Sequence, residues 1–154
     1  MERSVVIVKP DGVQRGLIGE IIHRFERKGL KLVGIKMLSL NDELLDQWYA
    51  HHKEKPFFQG LKEFMKSYPV VAMLWEGIDA AATIGRLTGE TKAREAEIGT
   101  IRGDFGMSQQ YNLIHSSEDA KAAEKEAKLM FKEDEIFSWE KTSDNHVYLD
   151  EERS

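Results

Sequence analysis

VVAMLW, residues 70–75, is the longest apolar run in the chain. A membrane-spanning helix needs about 20 such residues, so this run must find its cover inside a folded core. With Glu76 and Gly77 it reads as a strand apolar enough to lie at the centre of a sheet. Three further strand-like runs accompany it. SVVIV (4–8) is β-branched and is stopped by Lys9-Pro10-Asp11-Gly12, a turn sequence that leaves Lys9 at the carboxyl end of a strand. LKLVGIKMLSL (30–40) is a second, and YNLIH (111–115) is a short last one.

Helical patterns fall between them. In residues 17–29 the apolar side chains at 18, 21, 22 and 25 form one stripe, with Gly29 placed to end it. Asn41-Asp42 can cap a helix that carries Leu44, Leu45, Trp48 and Tyr49. Residues 61–68 and 78–89 give two more helices, the second stopping near Gly89. Residues 92–110 hold three glycines and no clean period, and read as a loop. After the last strand, Ser116-Ser117-Glu118-Asp119 offers serine caps and first-turn acids to a helix with Ala120, Ala123, Ala127 and Met130 on a narrow face. The order β-α-β-αα-β-α-loop-β-α predicts an α/β sandwich of the ferredoxin-like type, helices packed on a four-stranded sheet.

At 154 residues the chain is the size of one compact domain. We expect a single domain over 1–150 and a short polar tail over 151–154. It contains no cysteine. That excludes a thiol nucleophile, a disulfide framework and a cysteine zinc site, and it fits a reducing compartment. The opening MERSVVIVKP lacks the basic flank and long apolar stretch of a secretory leader. The expectation is a cytoplasmic protein without a membrane segment. A formal net charge of −5 argues against non-specific nucleic-acid binding, which rests on neutralising phosphates. The aromatic strand signature of an RNA-binding module of similar fold is also missing.

His115 has an unusual setting, where a strand gives way to a helix start rich in anion-attracting amides and hydroxyls. An imidazole of ordinary basicity is largely neutral, hence nucleophilic, near pH 7. Glu126 sits at the edge of the Ala/Met stripe of the following helix. From there it either reaches back to fix the imidazole's tautomer or remains an exposed acid paired with a lysine of AEKEAK. GTIRGDFG (99–106) sets Arg102 among glycines, suited to an anion or to a structural salt bridge. GRLTGET (85–91) gives Arg86 and Thr91 around a glycine. PFFQG (56–60) offers two aromatics, for the core or as a platform for a base. No Walker A or G-x-G-x-x-G pattern occurs.

Taken together, KPDGVQRGLIGEI, KPFF, PVVAMLWEG, GTIRGDFG, NLIHSSED and AEKE resemble the nucleoside diphosphate kinase family over nearly the whole chain. The resemblance implies a four-stranded antiparallel sheet covered by helices. It implies transfer of the γ-phosphate of a nucleoside triphosphate, mainly ATP, to nucleoside diphosphates, by a ping-pong route through a phosphohistidine. His115 then matches the nucleophile, attacking through Nδ1. Glu126 matches the residue that orients its ring, and Ser117 and Tyr49 match neighbours of that pair. Phe57 matches the base-stacking aromatic. Lys9 and Asn112 match contacts to the ribose 3′-hydroxyl and nearby phosphate, and Thr91, Arg102 and Arg86 match phosphate-binding groups. Mg²⁺ is expected on the nucleotide phosphates, with Glu118 reaching it only through water and no direct protein ligand.

The chain departs from the family pattern in three places. Arg86 lies five residues before Thr91, whereas the family arginine lies six before, a place held here by Gly85. Ser116 stands where glycine usually follows the histidine, and KAREAEIG lacks the prolines common in the loop after Thr91. That loop supports subunit contacts in the family, so a homo-oligomer, with a hexamer favoured, is the expectation. The alternative these departures raise is a nucleotide-binding or histidine-phosphorylated regulator without turnover.

Overall fold

The computed structural model describes residues 1–153. Its strands are β1 (Glu2–Val8), β2 (Lys31–Leu38), β3 (Val70–Gly77) and β4 (Ile114–Ser116). They form one sheet in the order β2-β3-β1-β4, every neighbouring pair antiparallel. This is the ferredoxin-like arrangement expected from the element order. The two central strands are β1 and β3, the two most continuously apolar runs, and both are buried nearly throughout.

That burial follows from helices on both faces. The helices are α1 (Pro10–Gln14), α2 (Ile18–Lys28), α3 (Asp42–Trp48), α4 (Phe58–Lys66), α5 (Ala80–Thr88), α6 (Ile101–Phe105) and α7 (Ala120–Met130). On one face Val6, Val8, Met73 and Trp75 meet Ile21 and Phe25 of α2, Ile84 of α5 and Ile101 of α6. On the other, Val5, Ile7, Ala72 and Leu74 meet Leu45 and Trp48 of α3, Met65 of α4 and Met130 of α7. Side chains alternate along a strand, so β1 and β3 supply one core with their even or odd positions and the other core with the rest.

Three local expectations are corrected. Residues 92–110 are not loop throughout: α6 forms there, capped by Thr100, whose hydroxyl accepts the Gly103 amide at 2.9 Å. Five helical residues are too few to show a period. The turn after β1 is the short helix α1, with Pro10 in its first turn. The serines after His115 do not cap α7. The last strand runs to Ser116, and the cap is Asp119, accepting the Ala122 amide at 2.7 Å. Two expected ends hold: Asn41 caps α3 through the Leu44 amide, and Gly29 ends α2 in the left-handed conformation, whereas YNLIH (111–115) is strand only from Ile114 on.

Residues beyond α7 cover the start of β2, at Leu32 and Val33. That strand bulges at Val33, whose carbonyl accepts the Phe137 amide at 2.8 Å, while the Trp139 indole donates to the Leu32 carbonyl at 3.0 Å. No helix among the described residues is long and apolar enough to cross a membrane.

Candidate active site

His115 lies on edge strand β4, directly opposite Ile7 of β1. Cross-strand partners share a face of the sheet, so the ring stands on the side covered by α3, α4 and α7. The backbone just before it is constrained. Leu113 has a positive φ of 76° although it is a bulky, fully buried residue. Two bonds hold it there: its amide donates to the Asp11 carboxylate at 3.0 Å, and its carbonyl accepts the Lys9 amide at 2.8 Å. Such a conformation persists only where the surroundings impose it, and it is common at functional sites.

Behind the ring, Nε2 of His115 comes within 2.5 Å of Oε2 of Glu126, which is only 6% exposed. This is an ion-pair contact and not a fully formed hydrogen bond. The same carboxylate oxygen accepts the Trp48 indole N–H at 2.7 Å. Burial pushes the Glu126 carboxyl up, but His115, Ser117 and Trp48 outweigh it and hold the group below its ordinary value. Ser117 is buried and ties this corner to β1: its Oγ accepts the Val5 amide at 3.1 Å. Tyr49 stacks on Trp48, ring centroids 4.5 Å apart. Burial, and then the Glu126 charge, push its phenol up, so it stays protonated.

In front of the ring is a cavity of about 950 Å³. His115, Tyr49 and Phe57 line it together with Lys9, Thr91, Arg102 and Asn112. The two candidate cations are fixed. Lys9 donates to Oδ1 of Asn112 at 2.8 Å and to the Gln110 carbonyl at 2.9 Å. Burial lowers its pKa to about 8, with Asp11 opposing the fall and Arg102 adding to it. Arg102 donates to the carbonyls of Gly89, Asn112 and Ile114, at 3.0, 3.2 and 2.7 Å. All three acceptors are neutral, so its charge remains available to an anion. Burial lowers its pKa to about 10, and it stays protonated at neutral pH. The Asn112 amide also donates to the carbonyls of Thr91 and Gln109, stitching the two loops together.

The paired aromatics separate cleanly. Phe58 is 7% exposed and belongs to the core, whereas Phe57 is 53% exposed at the cavity mouth. Such a cavity, lined by an exposed aromatic, two fixed cations and a carboxylate-backed imidazole, suits a phosphorylated ligand with an aromatic base.

A model of the nucleoside diphosphate kinase family matches residues 2–136. The chain belongs to the nucleoside diphosphate kinase family. Its relatives include proteins named nucleoside diphosphate kinase from Carboxydothermus hydrogenoformans and Archaeoglobus fulgidus. Each is 51% identical over 148 residues, 96% of this chain and 99% and 98% of theirs. A solved structure of a halophilic nucleoside diphosphate kinase from Halobacterium salinarum in complex with CDP superposes with a TM-score of 0.94. It is 51% identical and the match covers 96% of this chain and 99% of that one.

Against the nucleoside diphosphate kinase pattern, one expected group is displaced. Arg86 does not line the cavity. It lines an adjoining depression with Glu90, Glu97 and Thr100, which shares Gly85 and Gly89 with the cavity, and its guanidinium donates to the Thr83 hydroxyl at 3.4 Å. Gly85, one residue earlier on α5, does face the cavity. Successive helical residues point about 100° apart, so a shift of one position carries the guanidinium off the wall. Three site features were not anticipated from sequence. In the sequence Trp48 reads as part of a helical stripe, Asp11 as a turn former and Leu113 as a strand residue. The one available signal for Trp48 was its position beside Tyr49 at the end of a helix.

Proposed function

We propose that the protein moves the γ-phosphoryl group of a nucleoside triphosphate, mainly ATP, to nucleoside diphosphates through a phosphohistidine on His115. The observation that carries this reading is the pairing of His115 Nε2 with buried Glu126 at the wall of a cation-bearing cavity. Pairing at Nε2 leaves Nδ1 as the attacking atom. Its lone pair forms the N–P bond while the P–O bond to the leaving nucleoside diphosphate breaks. The imidazole then carries a positive charge, which the Glu126 carboxylate stabilises without taking the proton. An acceptor diphosphate enters the same cavity and reverses the step.

Phosphoryl transfer has a loose, charge-spread transition state, so positioning and fixed positive charge supply most of the catalysis. Arg102 and Lys9 provide that charge here. Thr91 adds a hydroxyl, and Phe57 offers a stack that is tolerant of base identity. Asn112 holds Lys9 toward the ribose and phosphate. Arg86 serves only if its side chain swings across the Gly85 wall.

Among the described residues no group of three His, Asp or Glu side chains is placed to hold a metal ion. Glu118 lines the cavity and would meet Mg²⁺ through water, the ion being carried on the nucleotide phosphates. When bound it neutralises phosphate charge. We also propose a cytoplasmic homo-oligomer, hexamer favoured. The exposed Ile35 and Met37 of edge strand β2, 47% and 60% accessible, support a subunit contact.

The test is steady-state transfer from ATP to GDP with both concentrations varied. Parallel double-reciprocal lines and a rate reduced roughly 10³-fold or more in His115→Gln are expected. Nucleotide binding without turnover would instead favour a regulator.

A further inference from the structure

We propose that Trp48 is a positioning residue for the transfer, its indole N–H and ring together holding Glu126 and His115 in register. The inference rests on the reading of His115 as the phosphoryl carrier. Trp48 is the last residue of α3 and is 78 positions from Glu126 in sequence, yet its Nε1 reaches Oε2 at 2.7 Å in a buried bond. That oxygen is the one 2.5 Å from His115 Nε2. The indole also meets the imidazole at 85°, ring centroids 4.8 Å apart. One side chain therefore touches both members of the pair, and its other face is fixed by the stack on Tyr49.

An indole suits this role for three physical reasons. It donates but cannot accept, so it never competes for the imidazole proton. It does not titrate in the working range. It has only two side-chain torsions, so fixing it costs little entropy. The edge-to-face contact restricts swing of the imidazole, and the N–H commits Oε2 to the line on which the ring must sit. Without that bond, Glu126 loses a donor and its carboxyl rises.

The groups acting on Glu126 come from several elements. β4 brings His115, and the residue after it is Ser117, a neutral donor. The end of α3 brings Trp48 and the protonated Tyr49. β1 packs apolar Val5 and Ile7 beneath α7. His115 is thus the partner that can carry positive charge, and loss of the indole donor leaves the pair more sensitive to acid.

The test measures His115 phosphorylation by ATP, and steady-state kcat and KM, across pH 5 to 9. It compares the full-length protein with Trp48→Phe and with a variant carrying benzothienylalanine at 48, which keeps the fused ring and replaces N–H by sulfur. Both variants should lose about tenfold in kcat, keep KM for ATP and GDP, and show an acid limb displaced to higher pH. Unchanged kcat and pH profile in both would overturn the proposal. Loss in Trp48→Phe alone, with the sulfur isostere unaffected, would overturn the role of the N–H in favour of packing. Should Trp48→Phe fail to fold, the isostere decides. A parent protein that takes no phosphate on His115 would instead overturn the functional reading beneath it.

Discussion

At the scale of single residues, the cavity works by holding ionisable groups where water would not. Lys9 is the plainest case. Its ammonium is buried between Asn112 and a backbone carbonyl, and its pKa falls to about 8. The cation proposed to meet phosphate therefore begins to lose its charge just above neutrality. The profile of kcat/KM against pH, which reports the free protein, should fall on the alkaline side with a midpoint near that value. Lys9→Arg should move this limb upward, because guanidinium keeps its proton, even if it lowers the plateau. A profile flat to pH 9 in the parent would contradict the assignment. His115, Lys9, Thr91, Arg102 and Phe57 each sit beside a local signal, a strand end, a glycine or a proline, whereas Asn112 is marked only by the family resemblance. Glu126 was open between two readings, since its sequence setting is an ordinary charged helix. Trp48 has only its place beside Tyr49 to mark it: its bond to Glu126 spans 78 residues, and no local pattern encodes that bond. The one-residue offset of Arg86 looks small in sequence but is about 100° on a helix, and its side chain lines the neighbouring depression.

At the scale of elements, the site depends on how α1 and the 111–113 segment meet. Gly12 of α1 presses against Leu113: a Cβ at position 12 would stand 2.8 Å from the Leu113 carbonyl oxygen and 2.8 Å from a Val8 methyl. Neither neighbour can yield easily, one being backbone and the other core. Gly12→Ala should thus cost about 1–3 kcal/mol of stability. It should also lower kcat, because the displaced backbone leads directly into β4 and His115. Thermal unfolding and steady-state rates on one preparation check both halves. An alanine variant as stable and active as the parent would show that the approach is looser than described. Strands β1 and β3 were readable from their apolar runs, and α2 from its stripe and Gly29. The short α6 and the start of α7 were not. Five residues carry no period, and two serines before two acids satisfy the capping preference equally well at several registers. The structure resolves that choice by spending Ser117 on β1 and leaving Asp119 to cap.

At the scale of the whole molecule, carboxylates link stability to acid. Burial pushes both Glu126 and Glu76 up, but their partners prevail: His115, Ser117 and Trp48 for one, Lys31 and Arg3 for the other. Both folded values lie below the ordinary one. Their contribution is full above the unfolded pKa of about 4.3 and is lost as pH falls through the lower folded values. The melting temperature should stay level from neutrality to about pH 5 and drop below it, with a shallower drop in Glu76→Gln. A drop already complete at pH 6 would point to other groups. The architecture follows from one constraint, that β1 and β3 are apolar on both faces and need helices on both sides. The central claim is that His115 carries the phosphoryl group between two nucleotides. The measurement that tests it most directly mixes the protein with γ-labelled ATP and Mg²⁺ without acceptor, quenches in alkali, and then adds GDP to a parallel sample. Acid-labile label approaching one per subunit, absent from His115→Ala and discharged into GTP, is expected. No label, or label that GDP cannot remove, would contradict it.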